Sequence, residues 1–326
     1  MASISNSADV KPVVALRGVS KHYGAVHAVR EVDLDVRPGE IFGLIGHNGA
    51  GKSTLFKMML GLAKPTAGAI EIYGQAVNGA AFREVRRRIG YLPESLALYD
   101  NLSGLETLQL FARLKKADAG QCTRLLERLG LGGAARRPVR DYSKGMRQRL
   151  GFAQALLGEP GVIFLDEPTN GLDPLARRDF FAQLAELRGR GVTLIISSHV
   201  LSELQAQVDR LAIMADGRLL ALGSVAALRE QMALPVLIEI QPAPGLDGAL
   251  HAELHRLPGV TVQSGAGSIV IECPRPLKMQ VIAALTPLAT RLGDLNLHEP
   301  SLEDVYFSAR SELGTAQAVQ TMEVEA

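Results

Sequence analysis

The stretch Gly46-His-Asn-Gly-Ala-Gly-Lys-Ser53 decides the fold of this chain. It follows the apolar run Ile41–Ile45, which predicts a buried strand, and it precedes Thr54–Leu60, which predicts a helix. A glycine-rich turn between strand and helix gathers backbone N–H groups and the positive end of the helix dipole around phosphates. The stretch therefore predicts a bound nucleoside triphosphate. By itself it leaves kinases, GTPases and transport ATPases open.

Hydrolysis of a triphosphate needs a metal-holding acid and a group that orients water, and the chain offers both. Lys52 has the length to reach the outer phosphates, and the Ser53 hydroxyl can join the coordination shell of Mg²⁺. The apolar run 162–165 ends in Asp166 and Glu167, which suit metal binding and water activation respectively. Paired carboxylates also cap helices or face solvent in turns, but a phosphate loop in the same chain favours catalysis.

Composition narrows the class of protein. A formal net charge of +1 argues against a nucleic-acid groove that dominates the surface, so no nucleic-acid partner is expected. The two cysteines, Cys122 and Cys273, lie far apart, which indicates a reducing compartment and no metal cage. No apolar run is long enough to span a bilayer, and residues 1–10 do not resemble a signal peptide. We expect a cytoplasmic protein that reaches a membrane only through a partner.

Apolar strands and helical stretches alternate along most of the chain. Runs at 162–165, 192–196 and 211–214 predict a largely parallel sheet covered by helices. The period-two pattern of Val32–Val36 predicts a half-exposed strand. The fold class is therefore α/β, a P-loop NTPase cassette over residues 13–232, with an inserted helical subdomain at about 95–155.

The pattern of predicted strands and helices changes after residue 232. Residues 233–311 predict a small α+β module with the order β-α-β-β-α-β, which suggests a ferredoxin-like arrangement, and Leu277–Leu292 is predicted as one amphipathic helix. His251 and His255 have metal-compatible spacing on a helix, but no third ligand is evident. Residues 1–12 are expected to be flexible and 312–326 to form a disordered tail.

Further motifs resemble those of ATP-binding-cassette (ABC) ATPases over roughly residues 13–228. Tyr142–Gln148 stands where that family has its signature, just upstream of Asp166-Glu167-Pro-Thr169. Gly171-Leu-Asp173 and Ser198-His199 follow in the family order. Several short motifs in the right order are far more specific than any one of them. The resemblance implies an ATP-hydrolysing subunit with ATP and Mg²⁺ as its ligands.

The resemblance also implies roles for individual residues. Glu167 would be the general base, His199 the switch that contacts the γ-phosphate, and Lys52 the catalytic lysine of the loop. Tyr23 would stack on the adenine, and the metal would be held by Ser53, Glu94 and Asp166. The nucleotide would be bound by the loop residues Gly46, His47, Asn48, Gly49, Ala50, Gly51, Lys52, Ser53 and Thr54.

A nucleotide-sandwiched homodimer is the active form that the resemblance implies. Ser143, Lys144 and Gly145 would contact the ATP of a second subunit, and Asp173 would link the two sites across the interface. The signature departs from the usual Leu-Ser-Gly-Gly-Gln, since Lys144 adds a cation near a phosphate. Glu94 stands where the family has glutamine, and an ionised carboxylate cannot donate a hydrogen bond.

A second resemblance is to a smaller group within the ABC ATPases. It rests on Gly90–Glu94, Tyr142–Gly151, Ala153–Pro160, Leu234-Pro-Val236 and Glu299–Asp304. These segments resemble the ATPase subunit of the copper-processing transporter that matures nitrous-oxide reductase. The resemblance implies a membrane permease, a periplasmic partner protein, a location on the cytoplasmic side of the inner membrane and a role in assembling the copper–sulfur centre of that reductase.

Two alternatives remain open at this stage. An exporter of drugs, lipids or polysaccharides would share every catalytic motif, and a soluble ABC ATPase would share them too. The single cassette and the absence of a sustained heptad run disfavour the soluble class. In the family the permease contact forms after the Glu94 position, so we expect it at Ser95–Thr107. The candidate anchors there are Leu96, Leu98, Tyr99 and Leu102, and the alternative is that these side chains form part of the core of the helical insert.

Overall fold

The structure is a computed structural model that describes residues 11–232, 234–243, 246–265, 267–301, 303–304 and 306–308. Residues 1–10 of the expected flexible N-terminus lie outside the described residues. The expected disordered tail, residues 312–326, lies wholly outside them. The described residues form two compact units, which divide between residues 222 and 223. The division falls before the helix Val225–Gln231, upstream of the boundary at 232 that the sequence suggested.

The first unit alternates strands and helices as expected. In chain order its elements are β1 (Val14–Tyr23), β2 (Val26–Val36), β3 (Ile41–Ile45), α1 (Lys52–Met59), β4 (Ala67–Ile72), β5 (Gln75–Ala76), α2 (Phe82–Arg87), β6 (Ile89–Leu92), α3 (Gly104–Lys115), α4 (Gln121–Arg128), α5 (Lys144–Leu156), β7 (Val162–Asp166), α6 (Pro174–Gly189), β8 (Thr193–Ser198), α7 (Leu201–Leu204), β9 (Arg210–Ala215) and β10 (Arg218–Gly223).

A six-stranded sheet with the order β10-β9-β3-β8-β7-β6 carries the site. Strands β6, β7, β8, β3 and β9 run parallel, and β3, β7 and β8 are buried along their whole length. This burial on both faces explains their continuous apolar sequence. In the register of the sheet, Ile45 lies opposite Ser198 and Asp166 opposite Ser197, so the carboxyl ends of the three strands meet at one edge.

A second sheet, of the order β2-β1-β4-β5, is antiparallel throughout its paired strands. Together with the parallel sheet and the helical insert it confirms the predicted cassette fold. Strand β1 extends to Tyr23, beyond the Val13–Val19 that the apolar pattern indicated, because it pairs with β2 as far as the turn that joins them.

The helical insert consists of α3, α4 and α5. Helix α3 begins at a reciprocal capping box in which Ser103 and Glu106 satisfy each other's backbone N–H groups. It ends at Lys115, and the C-cap residue Lys116 has a left-handed backbone. The ammonium of Lys115 donates a 2.6 Å hydrogen bond to the carbonyl of Leu157, just after α5. This contact fixes the end of α3 against the end of the helix that begins after Ser143.

The second unit contains α8 (Val225–Gln231), β11 (Val236–Pro242), α9 (Asp247–Leu254), β12 (Thr261–Ser264), β13 (Ile269–Cys273), α10 (Lys278–Leu285) and β14 (Leu292–His298). Its sheet has the order β12-β13-β11-β14 with antiparallel pairs, the pattern of a split β-α-β module. The prediction of one helix over Leu277–Leu292 is wrong. Helix α10 ends at Leu285, and a 3₁₀ segment follows, because Pro287 has no N–H for an α-helical bond.

None of the described helices combines the length and the apolar composition needed to cross a bilayer. In the second unit, His251 Nε2 lies 2.9 Å from the hydroxyl of Ser264. Across the described residues, no group of three or more His, Cys, Asp or Glu side chains is arranged to hold a metal ion.

Candidate nucleotide-binding and catalytic site

The loop between β3 and α1 needs glycine at two positions. Gly49 and Gly51 have φ values of 90° and 102°, a region that side-chain-bearing residues rarely adopt. Ala50 is fully buried, and its carbonyl accepts a hydrogen bond from the N–H of Gly217, which anchors the loop to the turn after β9. Together with residues 25–28, the loop borders a cleft of about 520 Å³, which we call the loop cleft.

Lys52 lies across this loop and is only 6% exposed. Its ammonium donates to the carbonyls of Gly46 at 2.5 Å and His47 at 3.3 Å, and it lies 3.6 Å from Oε1 of Glu167. Burial lowers the pKa of Lys52, and the nearby carboxylate of Glu167 opposes that shift. The ammonium of Lys52 is thus held between the loop carbonyls and the carboxylate of Glu167.

Ser197 organises the two carboxylates at the end of β7. Its hydroxyl donates a 2.5 Å hydrogen bond to Oδ1 of Asp166 and accepts a 3.0 Å bond from the N–H of Glu167. Burial raises the pKa of Asp166, and the bond from Ser197 partly offsets this. Ser197 is not among the predicted site residues, although the sequence shows a serine at the end of the neighbouring parallel strand.

His199 completes a contact chain with Glu167. Its Nδ1 lies 2.8 Å from Oε2 of Glu167, while the other oxygen of that carboxylate faces Lys52. Glu167 also has a left-handed backbone, with φ 47°. Strain of this kind costs of the order of 1–3 kcal/mol and recurs at functional sites. The structure therefore brings three residues with predicted catalytic roles into one group.

Glu94 lines the same cleft as the loop and Glu167. Burial is the main cause of the raised pKa of Asp166, and the negative charge of Glu94 adds to it. Burial, with smaller contributions from Asp166 and Glu94, raises the pKa of Tyr91 to about 12. Mg²⁺ prefers carboxylate, hydroxyl and phosphate oxygens, so Ser53, Asp166 and Glu94 have a donor set that fits it.

Tyr23 does not line the loop cleft. It lies half-exposed near the β1–β2 turn, with the ammonium of Lys21 4.9 Å from its ring centroid. The wall of the cleft includes His27, Arg30 and Asp216 instead. No sequence signal pointed to these three residues, because the β1–β2 pairing and the β9–β10 turn bring them to the loop.

The signature residues lie in a different cleft of about 540 Å³, which we call the signature cleft. Ser143 caps α5 by accepting a hydrogen bond from the N–H of Met146, and Gly145 and Asp173 border the same cleft. Asp173 in turn caps α6 through the N–H of Ala176. The side chain of Lys144 lies against Gly171. No residue of the phosphate loop borders this cleft.

Gln148 joins α5 to the turn after β7, a contact that the sequence did not indicate. Its side-chain amide donates a 3.0 Å hydrogen bond to the carbonyl of Pro168, and both groups are buried. Pro168 directly follows Glu167. This bond ties α5 to the backbone next to Glu167.

Among the candidate permease anchors, Leu96 has a different role. It packs against Gly151 of α5, inside the helical insert, because the missing side chain of that glycine leaves room for it. Tyr99 is 58% exposed, and Leu98 and Leu102 are half-buried. Tyr99 is the candidate with the largest free surface.

Replacing Ser197 by alanine is expected to lower the free energy of unfolding by about 1–3 kcal/mol, because a buried carboxylate and a buried N–H each lose a partner. Urea denaturation of the full chain measures the effect. Ser198→Ala is the control, since within the part of the chain that the structure describes that hydroxyl bonds only the backbone of Val200. Equal effects of the two changes would contradict the role assigned to Ser197.

Comparison with known proteins gives the same class. A family model described as "ABC transporter" matches residues 29–170. A daunorubicin resistance ATP-binding protein (DrrA3) of Streptomyces coeruleorubidus is 36% identical over 90% of this chain and 94% of its own length. The ABC transporter ATP-binding protein YdbJ of Bacillus subtilis is 33% identical over 92% of this chain and 96% of its own.

Solved structures agree. An ATP-binding subunit of an ABC transporter superposes with a TM-score of 0.63 and 33% identity, covering 67% of this chain and 92% of that one. A dimeric post-hydrolysis cassette bound to ADP and Pi superposes with a TM-score of 0.61 at 25% identity, and the match covers 65% of this chain and 98% of that one. The chain belongs to the ABC transporter family. It is an ATP-binding subunit of that family and an ATPase.

Proposed function

We propose that two copies of this chain hydrolyse Mg-ATP in composite sites and so drive a membrane permease. One observation supports this most directly. Lys52, Glu167 and His199 form a contact chain at the loop cleft, whereas Ser143 and Gly145 border the separate signature cleft. Within one copy, none of the signature residues borders the loop cleft. A second copy would supply it.

The chemistry follows from the positions of the side chains. Glu167 takes the proton of the attacking water, and His199 and Lys52 hold its two oxygens apart. When bound, Mg²⁺ supplies charge neutralisation at the phosphates, with Ser53, Asp166 and Glu94 as its protein ligands. Across the dimer, the N-terminus of α5 after Ser143 presents its positive dipole end to the γ-phosphate of the partner copy.

We further propose that this work supports assembly of the copper–sulfur centre of nitrous-oxide reductase, through a permease and a periplasmic partner at the inner membrane. The support is the set of subgroup segments, among them Tyr142–Gly151 and Glu299–Asp304. The chain itself is not expected to handle copper, because both cysteines are free and buried. Its contribution would be mechanical work from the cytoplasmic side.

The copper content of the reductase tests this role. In cells where Glu167→Gln replaces the native chain, we expect reductase with a depleted copper–sulfur centre. Glu84→Gln, at an exposed glutamate paired with Arg87, is the matched control and should leave the centre filled. A filled centre with Glu167→Gln would remove the link between hydrolysis and maturation, while leaving the ATPase assignment intact.

Export of a drug or lipid is a second candidate function. The observation that favours it is the likeness, over nearly the whole chain, to a relative named for daunorubicin resistance. Neighbouring genes discriminate the two candidates. A reductase gene beside a permease gene supports maturation, and a resistance phenotype lost on deletion of the chain supports export.

Replacing Glu94 by glutamine is expected to retain at least about a third of the ATPase rate, because the side-chain oxygen that can bind metal or water is kept. Steady-state hydrolysis by the purified chain measures it. Glu94→Leu is the paired variant and removes that oxygen. If Glu94→Gln loses nearly all turnover, the carboxylate itself is required.

A further inference from the structure

A third cleft of the first unit, of about 510 Å³, lies away from the nucleotide. We call it the arginine cleft. Its floor is formed by Leu156, Ile163 and Leu187, all buried. It reaches Gly161 and Val192, which precede β7 and β8, so it opens at the amino ends of these strands. The phosphate loop follows the carboxyl end of the parallel strand β3, at the opposite edge of the sheet.

The rim of the arginine cleft is cationic. Arg124, Arg128 and Arg190 border it, against one acidic lining residue, Glu159. Arg128 forms a 2.8 Å ion pair with Glu186, a residue that does not line the cleft. Arg124 lies 3.9 Å from Asp118. Arg190 makes no ion pair with any residue that the structure describes.

We propose that the arginine cleft binds a small organic anion with an apolar body. Guanidinium groups pair with carboxylate, sulfonate or phosphate oxygens, and the apolar floor would take the rest of the molecule. The volume lies within the range of roughly 300–1,000 Å³ that is typical of small-molecule sites. The mouth is open, since a Cβ added at Gly191 would meet no atom within 4 Å.

Arg128 connects this cleft with ATP hydrolysis. The same side chain borders the signature cleft, together with Ser143 and Gly145. An anion that competes with Glu186 for the guanidinium would therefore change the wall of the signature cleft. This regulatory consequence rests on the composite site proposed above, but binding of the anion does not.

Binding is tested with 8-anilinonaphthalene-1-sulfonate, an anionic fluorescent probe, on full-length Glu167→Gln with saturating Mg-ATP, so that the loop cleft is occupied. The neutral N-phenyl-1-naphthylamine is the matched probe. The double change Arg124→Glu and Arg190→Glu should raise the Kd of the anionic probe about tenfold, equivalent to about 1.4 kcal/mol. Both side chains are exposed, so folding should be preserved.

Arg113→Glu, at an exposed arginine on α3 outside the cleft, is the control and should leave the Kd unchanged. Octanoate should displace the anionic probe, and octanol should not. The proposal is overturned if the double variant binds the probe normally or if the neutral probe binds as tightly. Displacement by a purified permease but not by octanoate would assign the cleft to a protein partner and also overturn it.

Discussion

Glu167→Gln is expected to lower kcat for ATP hydrolysis about 10²–10⁴-fold, the usual contribution of a general base. The amide keeps the shape and one oxygen of the carboxylate but cannot accept the proton of water. The contacts of the native side chain are specific, with Oε2 2.8 Å from His199 and Oε1 3.6 Å from Lys52. Nucleotide binding should persist, because the loop is unchanged.

Single-turnover and steady-state phosphate release measure this loss, and equilibrium binding of a labelled ATP analogue measures retention. Glu203→Gln is the control, since that carboxylate pairs with Arg177 and Thr169, away from the loop cleft. An activity within threefold of the native enzyme would show that another group takes the proton. Loss of nucleotide binding would instead indicate a structural defect.

Mixed dimers are expected to show the second large effect. Lys52→Ala removes the ammonium group of the phosphate loop, and Gly145→Asp places a carboxylate in the signature cleft. There is space for it, because a Cβ at Gly145 meets no atom within 4 Å. With the two changes in different copies, one composite site keeps both its loop and its signature. With both changes in one copy and none in the other, neither site is intact.

Activity should therefore be at least about tenfold higher when the changes are in different copies, since loss of a preorganised electrostatic contact costs tenfold or more. Differently tagged copies, purified as mixed dimers, allow the ATPase rates of the two arrangements to be compared. The opposite order of rates would mean that loop and signature act within one copy. Equal rates would mean that the signature has no part in hydrolysis.

The phosphate loop shows how far sequence reasoning reaches. The apolar run Ile41–Ile45, the glycines and the helix after them depend on local backbone conformation, and all were predictable. The end of β7 at Asp166 was predictable for the same reason. The second unit was harder, because the apolar pattern through residue 292 concealed the end of α10 at Leu285.

Side-chain partnerships that cross between elements were not predictable. Ser197 holds Asp166 and Glu167 only because β7 and β8 pair in one particular register. Gln148 reaches Pro168 only because α5 lies beside the turn that follows β7. Leu96 was one of the candidate permease anchors, yet its side chain packs against Gly151 of α5.

The sequence by itself determined the class of protein, the phosphate loop and the identity of the carboxylates and histidine, because these depend on residue type and local order. The tertiary structure decided that Lys52, Glu167 and His199 form one contact chain and that the signature borders a separate cleft. It also placed the arginine cleft at the opposite edge of the sheet. The physical reason is that strand register and helix packing join residues far apart in the chain, and no local pattern encodes those distances.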